Sequence, residues 1–539
     1  MVNRIILYYH TLKSMKPSQV IARIRIKLGK ANPLGVAVRE NVSAVHPIDS
    51  PVELDFDPEF LYRFPVEQLM QNKVTFLHSS KDINWKIDWN FTDKSALWNF
   101  NLHYFEYLLP LVKAYQDSGD KKYLEKTEEI IGGWIETNPV GNTPAWASYT
   151  IAMRMVTWIC YYRYVEEELT EEFKKKFLLS LHVQYDYLSK HLEKDILGNH
   201  YFEDLKSLLL ASLFFNDEAV FQKVLREFKA ECKEEILSDG MHFELSPMYH
   251  KIIFEGMLRV ALALRSAGKK DEEIESYLQP MLDVAYSFED GLDRLPLFND
   301  GGNNVAKSLN ALVSAAKCHY NLTPRFRGQL KDSGFYIFNK EIGGHSWRLV
   351  VDAGQPGPKY IPGHAHCDAM SFELFRDGKP VVVNCGTYAY QCKERAFFRS
   401  TAAHNTVMIN GVEQSQCWGT FRVAKRSSVK VIQVDNNSIC LEMTDQKASW
   451  IRRQISFADS LVITDKTDGK KMDSFLHFIK TPEQQDNMLH CHDVIVYYGD
   501  NIEVKLVRQQ YAEDYGLKQE ISAVRLVGKG TVSYQVSLR

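Results

Sequence analysis

The 539-residue chain lacks any run of about 18 apolar residues, so no segment reads as a membrane-spanning helix. It lacks a Cys-x-x-Cys pair. Its nine cysteines are scattered and odd in number, which argues against zinc ribbons, dithiol redox chemistry or a disulfide framework and favours a reducing compartment. A secretory h-region is missing too, because Arg4 is followed only by the short stretch Ile5-Ile6-Leu7-Tyr8-Tyr9. The expectation is a protein without a signal peptide, cytoplasmic by sequence, with a periplasmic or exported location as the alternative. Net charge is only −3, so no global field invites nucleic acid. No exact internal repeat is found, and the oligomeric state is not legible.

What is present begins with length. A chain of 539 residues is too long for one ordinary core, so two or more domains are expected. The composition, 45% hydrophobic and 25% charged, is that of a globular protein. Aromatics reach 12%, with 27 Tyr and 9 Trp; such rings stack on sugars and also fill cores. The first forty residues are basic, with Arg4, Lys13, Lys16, Arg23, Arg25, Lys27, Lys30 and Arg39 against Glu40 alone. They read either as a patch that touches an anionic membrane or as a solvated segment packed across the main domain. The second is expected.

From about Leu97 to Asn321 the apolar residues recur at helical spacing, as in Leu102, Phe105, Leu108, Leu109 and in Ile253, Met257, Val260, Leu264. From about Gly334 the texture turns to short β-type runs such as Trp347-Arg348-Leu349-Val350-Val351, punctuated by Asp377-Gly378, Asn410-Gly411 and Asp468-Gly469. The predicted organisation is an N-terminal basic extension over 1–60, a curved helical array over 61–325 and an antiparallel β-sandwich over 326–539.

The densest chemistry lies in Gly363-His364-Ala365-His366-Cys367-Asp368-Ala369-Met370-Ser371-Phe372. Alternate residues of a strand share one face, so His364, His366 and Asp368 are expected to point one way, with His404 arriving from elsewhere. The pattern fits a catalytic or metal site, or a hydrogen-bonded histidine cluster. In the helical half, Gly198-Asn199-His200-Tyr201 opens an apolar helix. Glu203 follows His200 by three and either faces a ligand or closes a capping box with Asn199. Ser246-Pro247-Met248-Tyr249-His250 opens another helix and puts Tyr249 in its first turn.

These stretches, with Arg399-Ser400-Thr401-Ala402-Ala403-His404-Asn405-Thr406-Val407 and Asn101-Leu102-His103-Tyr104-Phe105, resemble the heparinase II/III-like family of polysaccharide lyases over nearly the whole chain. The resemblance implies an incomplete (α/α) toroid followed by a β-sandwich. It also implies β-elimination at a 4-linked uronic acid in an anionic polysaccharide that is glycosaminoglycan-like or alginate-like. A glycan hydrolase or a non-catalytic carbohydrate-binding protein of a surface-polysaccharide pathway is the alternative. A hydrolase would need Glu203 and Glu244 to face each other across the bond.

By similarity, Asn199 grips the uronate carboxylate with His200 beside it. Tyr249 is the acid, and on some substrates the base, and His364 is the alternative base. A phenol pKa lowered by nearby cations or donors would let Tyr249 act near neutral pH. Glu203, His103, Trp146, Arg154, Tyr390 and Arg399 are candidate substrate contacts, with Trp98 and Tyr149 lesser ones. One structural divalent metal (zinc, manganese or calcium) is implied at His366 and His404, and no organic cofactor. The third ligand position reads Asn384 where the family usually has Asp. A neutral amide is the poorer ligand, so Asp368 or Cys385 are substitutes, or the site is hydrogen-bonded and empty.

Overall fold

The computed structural model describes residues 4–28, 42 and 45–538. Lys30, Arg39 and Glu40 of the basic extension lie outside them. The chain enters as two short helices, Arg4–Ser14 and Pro17–Lys27. The helical domain follows, and its helices pack in sequence around a ring. Helix Ser148–Val165 lies on Asn199–Phe214, which meets Glu218–Glu235 and Pro247–Ser266. The last of these packs on Leu278–Glu289, and that helix on Leu309–Tyr320. The ring closes on the short segment Val52–Asp55. This is the helical toroid, and its core is one continuous apolar cluster from Ile48 to Ala316.

Two of these helices are buried nearly all round and lie inside the ring. In Asn199–Phe214 and Pro247–Ser266 most residues are buried, Asn199, Tyr249 and His250 of the first turns among them. A helix buried on all faces must have its free backbone donors satisfied at its end. Helix Pro247–Ser266 does this with Ser246, whose hydroxyl accepts from the Tyr249 amide (3.2 Å), and with Pro247, which has no N–H to satisfy.

The C-terminal domain is antiparallel β. A five-stranded sheet runs in the order Gln329–Leu330, Phe335–Ile342, His345–Asp352, Phe372–Arg376, Lys379–Val382. A ten-stranded sheet is built around the long neighbours Ser460–Phe478 and Leu517–Leu538. The two sheets share an apolar core containing Trp347, Phe372, Leu441, Ile463 and Val536. A third cluster belongs to both domains, joining Met248, Tyr249 and Phe288 of the helices to Leu330, Phe335 and Val350 of the sheet.

Candidate active site

A cleft of about 470 Å³ runs between the domains. Its helical wall includes Asn199, His200, Met248, Tyr249 and Tyr149. Its β wall includes His364, Tyr390 and Tyr515, and the helix pair at the N-terminus roofs it with Thr11, Ser14, Met15, Gln19 and Arg23. The two buried helices begin at the cleft, and this is why Asn199 and Tyr249 reach it.

The segment Asn299–Asp300 ties the walls together. Asn299 donates its backbone N–H to Asp368 (2.8 Å) and its side-chain N–H to the Leu245 carbonyl (2.9 Å), and its side-chain Oδ1 accepts from the His366 backbone N–H (3.1 Å). Asp300 is fully buried and takes His364 Nδ1 on one oxygen and His366 Nε2 on the other, each at 2.9 Å. Arg395 clamps both oxygens, with its second N–H at 2.8 Å. Burial opposes ionisation of Asp300, but Arg395 and the two imidazoles hold its carboxyl well below the usual range. An ionised carboxylate only accepts hydrogen bonds, so it fixes the tautomer of both histidines. His364 therefore carries its proton on Nδ1 and presents a bare Nε2.

That Nε2 accepts from the Asn199 amide (3.2 Å), and the same amide nitrogen donates to both oxygens of Glu244 (3.0 and 2.8 Å). Beside it, the Tyr249 ring stands 4.1 Å from the His364 ring, centroid to centroid. The Tyr249 hydroxyl shares a hydrogen bond with Tyr390 (2.7 Å), which shares another with Tyr515 (2.8 Å), making a three-phenol chain. Burial pushes the Tyr249 pKa well up, and the neighbouring Tyr390, Asp300 and Glu244 push the same way. The expectation of a lowered phenol pKa is corrected: the surroundings of Tyr249 are acidic and apolar, and the phenol keeps its proton. His200 also faces the cleft, 4.6 Å from the Tyr149 ring and 3.1 Å from Glu193. Burial opposes its charge, but Glu193, with Glu244 and Glu203 beyond, raises its pKa.

Asn199, His200, Tyr249, His364 and Tyr390 are thus brought to one cleft. Six other candidates are not. Glu203 is fully buried and ion-paired with Lys206. His103 donates from Nε2 to the Trp89 carbonyl (2.9 Å) and accepts the Trp134 indole N–H on Nδ1 (3.0 Å) inside the toroid, and burial lowers its pKa to about 3. Arg154 lies under Trp134 and donates to Gln184 (2.7 Å), and Trp146 donates to the Asn138 carbonyl (3.1 Å). Trp98 is likewise buried, donating to the Ser79 carbonyl (2.8 Å). Arg399 spends its guanidinium on backbone carbonyls, Ala365 among them (2.9 Å), so it shapes the histidine loop from behind. The physical reason is common: each polar group is consumed by a buried partner one layer behind the wall.

Asp300, Glu244 as the partner of Asn199, Arg395 and Tyr515 belong to the site without having stood out in the sequence. Asp300 had one signal, the polar run Asn299-Asp300-Gly301-Gly302 interrupting Leu295-Pro296-Leu297-Phe298.

For a metal, His366, Asp368 and His404 offer ligand atoms within 4.8 Å of one another, all buried. His366 gives its only proton to Asp300, so its Nδ1 is bare, and it faces His404 Nε2 at 3.3 Å. Burial lowers both histidine pKa values, that of His366 to about 4, as a ligand requires. Asn384 is turned elsewhere: its amide oxygen accepts from the Asn405 backbone N–H (3.0 Å). Asp368 stands with the two histidines where Asn384 was expected.

The family described as heparinase II/III N-terminus matches residues 9–322, and the one described as heparinase II/III-like, C-terminal, matches residues 323–533. A heparin-sulfate lyase of Pedobacter heparinus is 26% identical over 367 residues, 61% of this chain and 54% of that protein. One of Bacteroides stercoris is 25% identical over 456 residues, 74% of this chain and 66% of the relative. The chain spans between about half and two-thirds of the length of these relatives. Among solved structures, a heparinase III aligns at a TM-score of 0.69 with 18% identity, over 97% of this chain and 92% of that one. The Streptomyces coelicolor chondroitin AC lyase, solved with chondroitin sulphate, aligns at 0.52 with 9% identity, over 96% and 82%. These two likenesses speak to the fold.

Proposed function

Because the chain belongs to the heparinase II/III family, we propose that it is a polysaccharide lyase that breaks a uronic-acid-containing glycosaminoglycan by β-elimination. The observation that carries this reading is the convergence of Asn199, Tyr249 and the bare Nε2 of His364 from two domains on one cleft. The proton at C5 of a uronate is weakly acidic, and its removal puts charge on the adjacent carboxylate. Asn199 meets that charge with its N–H, and His200, whose pKa its acidic neighbours raise, lies beside it. A carboxylate that takes the Asn199 N–H also releases His364 Nε2, which then accepts the C5 proton. Asp300 stabilises the imidazolium so formed. The C4–O4 bond breaks as the C4–C5 double bond forms, and Tyr249, protonated in its buried setting, gives its proton to O4. Tyr390 and Tyr515 lie in line to restore it. The hydrolase alternative needs Glu203 and Glu244 as facing carboxylates; one is buried on Lys206 and the other holds Asn199.

The test is ultraviolet absorbance during digestion of heparosan, hyaluronan, chondroitin, heparan sulfate and alginate. A rise on at least one glycosaminoglycan is expected, since elimination leaves a conjugated unsaturated uronate. New reducing ends without that chromophore would overturn the reading.

A structural divalent metal would be held by His366, His404 and Asp368, cross-linking the histidine loop to the segment before strand Val407–Ile409 without touching substrate. Elemental analysis is expected to find one equivalent in the native chain and in Asn384→Ala, and little in Asp368→Asn. Equal content in both variants, or none in the native chain, would refute this ligand set.

A further inference from the structure

We infer that the N-terminal helix pair is an interfacial element by which this protein sits on an anionic membrane surface, with the roof of the cleft toward the bilayer. The inner side of the pair is committed to the protein and bridges both domains. Gln19 is buried and donates to the Ile196 carbonyl (3.0 Å), Lys16 pairs with Glu234, and Arg23 lies 3.5 Å from Asp195, all on the toroid. On the sandwich, Trp418 donates to Thr11 (3.1 Å) and takes the edge of Tyr8 at 4.9 Å. The outer side has a different character. Ile6, Leu12, Ile21, Ile24, Ile26 and Leu28 are 47% to 64% exposed. Ile21 and Ile24 fall at i and i+3 of the second helix, and Leu28, its C-cap residue, continues that row at i+7. Scattered exposed apolar residues are ordinary, whereas six on two short adjacent helices and the cap that ends the second are a patch that seeks cover.

Charge decides what covers it. Residues 4–28 hold six cations, Arg4, Lys13, Lys16, Arg23, Arg25 and Lys27, and no carboxylate, in a chain of net charge −3. Arg4, Lys13, Arg25 and Lys27 are exposed around the apolar stripe. A second copy of the patch would set these cations against each other. A hydrated anionic polymer would satisfy the cations and leave the isoleucines wet. An anionic bilayer satisfies both, with apolar side chains at the acyl boundary and Lys and Arg among the headgroups. The helices are held in place by the body, so binding costs little ordering of the segment.

The experiment is flotation of the full chain with vesicles of phosphatidylcholine alone or mixed with phosphatidylglycerol, alongside light scattering for self-association. Binding to the mixed vesicles on the order of tenfold tighter than to phosphatidylcholine is expected, weakening with salt. The variant Ile21→Glu/Ile24→Glu/Leu28→Glu changes only exposed positions. It is expected to lose that binding while its melting temperature stays that of the native chain. No binding to either vesicle, equal binding to both, undiminished binding by the variant, or a dimer that the variant abolishes would each overturn the inference. None of these readouts uses lyase activity, so the result stands apart from the proposed reaction.

Discussion

Asp300 accepts from two histidines and an arginine in a space closed to water, and the roles proposed for His364 follow from it. Tyr249 is the sharper test, because Tyr249→Phe removes one oxygen and keeps the ring that packs on His364. Turnover is expected to fall roughly a hundredfold or more while the melting temperature moves little, since the lost contact is to another phenol. Near-normal turnover would take Tyr249 out of the chemistry. His200 makes a claim about pH. Its folded pKa is raised, so its charge is fully present below the unfolded value of about 6.5 and is lost as pH rises through the folded value. KM for an anionic polymer is therefore expected to climb with pH across that window in the native chain and to stay flat in His200→Gln. A native KM that does not change there would remove the cation from binding. Asn199, Tyr249 and His364 were legible because they stand in short polar motifs beside helix or strand starts. Asp300 was not. A lone aspartate gains its meaning only when three distant side chains converge on it, and spacing along the chain carries no trace of that.

At the scale of elements, the toroid helix and sandwich strand periods were readable, because each buries one repeating set of apolar residues. The depth of a polar residue within a helix was not readable. His103, Arg154 and Trp146 have the composition of a sugar site and instead serve the toroid interior, where burial makes each find a partner. The start of helix Asn199–Phe214 shows how finely an element end positions the site. Gly198 sits at φ 60° and ψ −147°, a region side chains avoid, and a Cβ there would collide with the Glu244 carboxylate that holds Asn199. Gly198→Ala should cost about 1–3 kcal/mol of stability. It should cost turnover more heavily, because Asn199 loses its anchor. Unchanged kinetics in a correctly folded Gly198→Ala chain would show that the Asn199–Glu244 contact is not needed.

For the whole molecule, the question is whether toroid and sandwich are separable bodies. Two domains of this size ordinarily unfold independently when the contact between them is polar and small. Here the contact is a shared apolar core. Phe335, fully buried in the second strand of the five-stranded sheet, meets Phe288 at the end of a toroid helix with ring centroids 5.0 Å apart. It meets Phe298 of the connecting segment at 5.4 Å. Arg294, in the same segment, is buried and paired with Glu373 of the sheet (3.0 Å). The cleft lies over this junction, so an opened interface would pull His364 away from Asn199 and Tyr249. The two domains are therefore expected to melt in one transition, with helical circular dichroism and protection from hydrogen exchange in the sheet lost together. Phe335→Ala empties the centre of the junction and should cost about 3–5 kcal/mol, lowering both signals equally. If Phe335→Ala shifted the sheet alone and left the helical transition where it was, the junction would be a passive contact. The cleft geometry would then be maintained by the Asp300 network rather than by the apolar core beneath it.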